Sequence, residues 1–127
     1  MEPAASVPPQ QNDTVRIMMI GKFHQPRKNH LLFLRCIDTL ASEYDLHATV
    51  IGSLNSHDDD HYQAIRSYVV NTELNDIVEV KSNLRYDAVQ RAYETHDIFV
   101  LPSDDEPAAV SHLEAMAHGL AVICSDA

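Results

Sequence analysis

The sequence predicts an α/β fold: a Rossmann-like, doubly wound parallel sheet in three α/β/α layers, with five strands present. Three observations predict it. Apolar runs of strand length alternate with segments of helical period along the chain. Most of those runs are apolar on both faces, as a sheet covered on two sides requires. Right-handed crossovers then favour the strand order 3-2-1-4-5, with the first and fourth strands adjacent. With 127 residues, 45% of them hydrophobic, the chain can build one domain with a real core.

Residues 1–14, rich in Pro, Ala and Gln, read as a flexible lead-in or interdomain linker. Residues 1 to about 12 are expected to be disordered or loosely packed, because such composition cannot repay the entropy of ordering. Val15 to Gly21 (VRIMMIG) is a continuous apolar run, the central strand. Gly21 to Lys28 (GKFHQPRK) is a loop, and Asn29 suits the N-cap of a helix running to about Tyr44. Its apolar positions, Leu31, Leu32, Leu34, Cys36, Ile37, Leu40 and Ala41, cover a wide face. Leu46 to Gly52 is the second strand. Ser53 to Asp60 is a polar loop whose acids precede a helix to about Asn71, with Ile65, Tyr68 and Val69 inward. Ile77 to Lys81 is the third strand, and a short helix follows from about Asp87 to Thr95. Asp97 to Leu101 (DIFVL) and Leu120 to Cys124 (LAVIC) are the last two strands. Between them, Pro107 suits the first helical position, Glu106 the N-cap region, and Gly119 the residue just past the helix.

In this order the chain reverses direction between the first and fourth strands, and ligands bind at the carboxyl ends of strands at such a point. The loop after the first strand carries Gly21, Lys22, Arg27 and Lys28. The loop after the fourth carries Ser103 to Glu106. Topology alone therefore brings a basic spot and an acidic turn to one crevice.

Charge sharpens this expectation. The net charge is −10, yet Thr14 to Ile37 holds five basic residues and no acidic one. That segment is +5, so the remainder is −15. An acidic chain of this kind is a poor nucleic-acid binder. Its concentrated basic spot suggests a local anion site, where Gly21 admits a ligand close to the backbone and a helix begins at Asn29. No run approaches the ~20 apolar residues of a membrane span, and the N-terminus lacks the features of a signal peptide. Cys36 and Cys124 read as buried free thiols of a reducing, cytoplasmic compartment.

Other constellations carry less. His57, Asp58, Asp59, Asp60 and His61 suggest a metal site, but a solvated, helix-capping run explains them, and they fall far from the predicted crevice. His24, His30, His47, His96, His112 and His118 form no triad with a nucleophile. Ser103 and Ser111 lack a nucleophile-elbow motif. A receiver domain would need acids after the first strand and an Asp after the third. Those places hold Gly21-Lys22 and Lys81-Ser82.

One residue breaks the pattern of the last helix. Val110, Leu113 and Ala117 share a face, flanked by Ala109 and Met116, and Glu114 falls on its edge. A carboxylate there is either exposed at the rim or held by a specific partner, because unpaired burial is expensive. Glu106 and Glu114 stand with seven residues between them, within Phe-Val-Leu-Pro-Ser-x-x-Glu-Pro followed by Leu-Glu-Ala-Met-Ala-x-Gly. This stretch resembles the donor-binding motif of family 4 retaining glycosyltransferases, which have the GT-B fold, and the resemblance extends over almost everything from Val15 to Asp126.

The resemblance implies a C-terminal donor-binding domain, residues 15–127, truncated at its C-terminus and forming half of a GT-B fold. It implies that Lys22 and Lys28 stabilise a departing diphosphate. Lys22 replaces the family's usual Arg, and Arg27 is the alternative counterpart of Lys28. Glu106 would hold hydroxyls of the donor sugar, and Glu114 the ribose diol. Gly21 and the backbone amides of Ala108 and Ala109 would face the donor, although the family usually has a Gly where those alanines stand. Asn83 and Leu84 fall near the family's base subsite. The substrate would be a nucleotide-diphosphate sugar, with no metal or other cofactor required. The acceptor, a sugar or a lipid-linked sugar, would be held through a missing N-terminal domain. Peripheral membrane association of the full-length protein is compatible with this, and the fragment alone would transfer nothing. A non-catalytic nucleotide- or protein-binding module on the same fold is the alternative.

Overall fold

The structure is a computed structural model that describes residues 14–102 and 110–124, with the backbone alone for 110–113 and 124. The lead-in before Thr14 and the stretch from Ser103 to Ala109 lie outside the described residues. The elements are β1 (Val15–Ile20), a single 3-10 turn (Pro26–Lys28), α1 (His30–Ala41), β2 (Leu46–Gly52), α2 (Asp60–Asn71), β3 (Val78–Ser82), α3 (Tyr86–Thr95), β4 (Ile98–Leu101), α4 (Val110–Ala117) and β5 (Ala121–Cys124).

All five strands are parallel, in the order β3-β2-β1-β4-β5. The expected topology is therefore present, with β1 at the centre and β4 beside it. Alternation along β1 divides the core. Ile17 and Met19 face α1 and α2, packing with Phe33, Leu34, Ile37, Val50 and Ile65. Met18 faces the other layer, with Ile51, Tyr93, Phe99, Ala115 and Leu120. Asp97 straps the two halves together at the start of β4. Its carboxylate accepts from the Arg16 N–H at 2.9 Å, and its own N–H donates to the Arg16 carbonyl at 2.8 Å.

Helix termini follow local chemistry in two places. The Asp59 carboxylate accepts from the Tyr62 N–H at 2.9 Å and caps α2, as the capping reading of the acidic run requires. Gly119 has φ +87° just past α4, the left-handed conformation that ends a helix.

Four sequence expectations are corrected. Asn29 precedes α1, but its side chain does not cap the helix. Asn29 closes the 3-10 turn in a left-handed conformation, φ 61° and ψ 41°, which turns the amide away from the first helical N–H groups. The helix ends at Ala41 rather than Tyr44, because the Glu43 and Tyr44 N–H groups both fold back onto the Leu40 carbonyl. Cys36 is exposed rather than buried. It lies with Leu32 and Leu40 on the side of α1 that bounds an apolar groove of about 380 Å³ beside Val100 and Ile123, while Phe33, Leu34 and Ile37 take the sheet. On α4 one expected inward position, Ala117, and its flanking Met116 are corrected, while the side chains of Val110 and Leu113 lie outside the described residues. Met116 is 57% exposed and Ala117 is exposed, whereas Ala115 is fully buried. This helix is apolar around most of its circumference, so its period does not choose a face, and packing on Tyr93 and Phe99 does.

The tightest backbone approach is at Gly52, at the end of β2. A Cβ there would lie 2.1 Å from the Gly21 carbonyl oxygen and 3.1 Å from the Phe23 ring. Gly52→Ala should therefore cost more than about 2 kcal/mol in urea unfolding. Gly119→Ala, whose new methyl would meet nothing within 4 Å, should cost only about 1 kcal/mol of backbone strain. Equal losses would mean that the exit from β1 yields to the methyl.

Candidate functional site

The carboxyl ends of β1, β2 and β3 enclose a cavity of about 280 Å³. It is lined by Ile20, Gly21 and Lys22 from β1 and its loop, by Ile51, Gly52 and Ser53 from β2, by Asn83 and Leu84 after β3, and by Val89 on α3. Four of the residues singled out in the sequence, Gly21, Lys22, Asn83 and Leu84, thus meet in one place.

Each is positioned by backbone chemistry. The Gly21 N–H donates to the Ile51 carbonyl at 2.9 Å and the Phe23 N–H to the Ser53 carbonyl at 3.1 Å, so the loop leaves the sheet still paired to the exit of β2. The Gln25 N–H donates back to the Lys22 carbonyl, and the 3-10 turn follows. That turn returns Lys28 against Gly21: a Cβ on Gly21 would lie 3.0 Å from the Lys28 Cβ. Lys28 is half-buried there, whereas Arg27 and Lys22 are exposed. Asn83, with φ 55°, staples two loops together. Its amide donates to the Leu54 carbonyl at 3.0 Å and accepts from the Leu54 N–H at 2.9 Å, and its own N–H donates to the Gly52 carbonyl. Its side-chain amide is therefore engaged by the scaffold.

The loops after β1 and β4 do meet, through a bond the sequence did not reveal. Asn29 Nδ2 donates to the Pro102 carbonyl at 2.6 Å. This spans the switch point and brings the end of β4 to the start of α1. Beyond Pro102, Glu106, Ala108 and Ala109 lie outside the described residues.

Glu114 is half-buried on α4. Among the described residues its carboxylate has one side-chain hydrogen-bond partner, the Tyr93 hydroxyl, which donates to Oε1 at 3.5 Å. That neutral partner leaves most of the carboxylate's acceptor capacity unused. Burial, and the Glu114 charge next, push the Tyr93 hydroxyl well above its ordinary pKa, so it stays a donor. Tyr93 also stacks on His118, which bonds to the Gln90 amide oxygen at 2.8 Å. Helix α3 is thus a shared wall: Val89 lines the cavity, and Tyr93 one turn later touches Glu114.

Sequence reasoning missed Gly52, His30 and the place of His61. His30 is fully buried, and its Nε2 lies 2.9 Å from the Gly21 carbonyl oxygen. Its ring packs on Phe23 at 5.4 Å and on His61 at 5.5 Å between centroids. The acidic run is therefore not remote from the crevice, because His61 backs onto the ring that touches Gly21. The close spacing of Gly21, Lys28 and His30 was the available signal. The approach to Gly52 and His61 comes from folding β2 and α2 beside that loop. Among the described residues, no group of three or more His, Cys, Asp or Glu side chains is arranged to hold a metal ion. No described helix is long and apolar enough to cross a membrane.

The family model described as glycosyl transferases group 1 matches residues 14–127. The chain belongs to the group 1 glycosyltransferase family. Solved structures of this kind share its fold. A sucrose-phosphate synthase from Thermosynechococcus elongatus superposes on 90% of the chain at TM-score 0.78 and 22% identity. The C-terminal domain of a group 1 glycosyl transferase family protein, LpcC, from Francisella tularensis superposes on 87% at 0.73 and 26%. Anabaena HepE in complex with UDP-glucose superposes on 91% at 0.78 and 16%. The group 1 domain described here spans 28%, 57% and 30% of those three chains, respectively. No curated protein matches it in sequence.

The buried histidine gives this domain a pH dependence. Desolvation above all, opposed by the Gly21 hydrogen bond and reinforced by His61 and Lys28, lowers the His30 pKa from 6.5 to about 4. His47 and His96 are lowered too, again chiefly by desolvation. A group depressed in this way binds its proton more readily when unfolded, so stability is complete above pH 6.5 and is lost as the pH falls toward 4. Between pH 7.5 and 4 the unfolding free energy should drop by about 3 kcal/mol more in the wild type than in His30→Gln. Parallel pH profiles would show that His30 is not the group responsible.

Proposed function

We propose that this chain is the donor-binding part of a retaining, family 4-type glycosyltransferase, with residues 15–127 as the nucleotide-sugar domain and the residues before it as a linker. The observation that carries this reading is the cavity at the carboxyl ends of β1 to β3, with Gly21, Lys22, Asn83 and Leu84 on its wall and the Lys28 stem packed on Gly21. The pairing of β1 with β4 and the Asn29 bond to Pro102 support it, because they bring the start of the acidic turn to the same end of the sheet. Relatives of the same fold hold such donors: Anabaena HepE has been solved with UDP-glucose.

In this reading the donor diphosphate lies along the Gly21 loop and the first turn of α1, whose amides Asn29 leaves uncapped. Lys22 and Lys28 stabilise the negative charge that grows on the diphosphate as the glycosyl bond breaks. That stabilisation is preorganised electrostatics and needs no metal. Arg27, more exposed than Lys28, adds field at longer range. Leu84 and the Asn83 turn shape the wall for the base. Glu106, with the amides of Ala108 and Ala109, takes the sugar hydroxyls. Glu114 takes the ribose diol, its carboxylate oriented by the Tyr93 hydroxyl. The acceptor, a sugar or lipid-linked sugar, enters from a second domain, and the protein works on the cytoplasmic side.

Binding tests the reading directly. Calorimetry with UDP-glucose, ADP-glucose and GDP-mannose should show one of them binding the 127-residue chain, more weakly than it binds the complete enzyme. A chain that binds none of these donors or their diphosphates would end it. Glu114→Gln keeps shape and one acceptor, so it should weaken the chosen donor about ten-fold, the equivalent of losing about 1.4 kcal/mol. Its melting temperature should not move. A lower melting temperature with unchanged affinity would make Glu114 a rim carboxylate.

Turnover is the separate test of the lysines. In a protein carrying both halves, Lys28→Ala should lower kcat by more than Lys22→Arg, which keeps the charge. Unchanged kinetics in Lys22→Ala, Lys28→Ala and Arg27→Ala would exclude their role at the diphosphate. Donor binding without transfer in the same protein would favour a non-catalytic module.

A further inference from the structure

The Gly21 carbonyl oxygen is held from two sides. On one, the Gly52 Cα is so close that a Cβ there would come within 2.1 Å. On the other, His30 Nε2 lies at 2.9 Å. A carbonyl can only accept, so Nε2 carries the proton and Nδ1 the lone pair. Nδ1 is buried and has no hydrogen-bond partner among the described residues. A buried polar atom left unpaired is costly, a cost that a leucine or phenylalanine filling the same space would avoid. A histidine that is fully buried in spite of this cost is explained by the bond its other nitrogen makes.

That bond acts on a peptide at the site. The Gly21 oxygen belongs to the peptide joining Gly21 to Lys22, which is planar and trans. Fixing the oxygen fixes the direction of the Lys22 N–H on the opposite edge, and with it the point from which the Lys22 side chain leaves the loop. Gly21 itself has little freedom to compensate, since the Lys28 stem and the His30 ring lie 3.0–3.2 Å from where its Cβ would be. Phe23 and His61 hold the ring in place, with centroids 5.4 and 5.5 Å away.

We propose that His30 is a positioning residue for the donor diphosphate, acting through its Nε2–H bond to Gly21 to hold the Gly21–Lys22 peptide in the orientation that presents Lys22 to the anion. The proposal rests on the donor-site reading above and assigns that site a residue which touches no ligand.

Three measurements on the 127-residue chain test it. Long-range proton–nitrogen NMR at neutral pH should find His30 as the Nε2–H tautomer, and the Nδ1–H tautomer would overturn the proposal. Two variants follow. His30→Phe fills the ring volume without a donor, and His30→Gln restores an N–H near the Nε2 position. Amide exchange at Phe23 and Gln25 should be about ten-fold faster in His30→Phe, with β2 unchanged, and should return toward wild type in His30→Gln. Affinity for UDP, ADP or GDP, whichever the wild type binds most tightly, should fall about ten-fold in His30→Phe and recover in His30→Gln. Wild-type exchange and affinity in His30→Phe would overturn the proposal, and so would equal losses in both variants. A wild type that binds none of the three diphosphates defeats the donor-site reading itself, and this proposal with it. A wild type that binds while His30→Phe binds equally well defeats the proposal alone. If His30→Phe does not fold, His30→Asn, whose amide is too short to reach Gly21, takes its place in the comparison with His30→Gln.

Discussion

The close crossing of Gly21 over Gly52 is the constraint on which the rest of the site depends. Two parallel strands end side by side, and the oxygen of one occupies the space where a side chain on the other would be. This allows the exits of β1 and β2 to stay paired as far as Phe23, three residues beyond the end of β1, through the bonds to Ile51 and Ser53. The cavity forms because the loops are held together at the level of the backbone before they separate. Asn83 extends the same device to β3, tying its exit to Gly52 and Leu54. Three strand ends are thereby bound to one another by backbone and side-chain amide hydrogen bonds.

The electrostatics follow from that arrangement. An acidic chain carries its one basic segment around the central strand, and the 3-10 turn folds Lys28 back onto Gly21. Burial above all favours the neutral form of the His30 imidazole, and the nearby His61 and Lys28 charges act in the same direction. The same ring can then serve as a neutral donor to the carbonyl. A charged histidine would need a second acceptor, and none among the described residues bonds its Nδ1. The positive spot and the uncharged histidine beneath it are thus mutually consistent, and both suit a loop whose ligand is an anion.

Helix α3 couples the two sides of the sheet end. Leu84 and Val89 face the cavity and pack with Tyr93 in the second core layer, and Tyr93 reaches Glu114 on α4. On the other side of the crevice, the Asn29 amide holds Pro102. The chain before the acidic turn and the chain after it are each fixed by a residue from a different element. In this way a carboxylate on α4 and a lysine after β1 are referenced to the same scaffold.

The architecture was legible in the order of residues alone. Alternating periods, strands apolar on both faces and the handedness of crossovers sufficed for a five-stranded parallel sheet with β1 central and β4 beside it. The Asp59 cap and the Gly119 stop were also legible, because each depends on bonds within a few residues. That Asn83 and Leu84 lie beside Gly21 and Lys22 was suggested by the family resemblance alone, since topology pointed only to the loops after the first and fourth strands. The rest depended on contacts between elements distant in the chain. The Asn29 amide serves a carbonyl 73 residues away instead of its own helix, Cys36 opens onto a groove, Ala115 rather than Ala117 is buried, and His61 backs the ring that grips Gly21. Periodicity tells which positions want a cover, but it carries no information on which distant element supplies it. A polar side chain with a local role available takes the distant partner when the backbone, as at Asn29 in its left-handed turn, points it there.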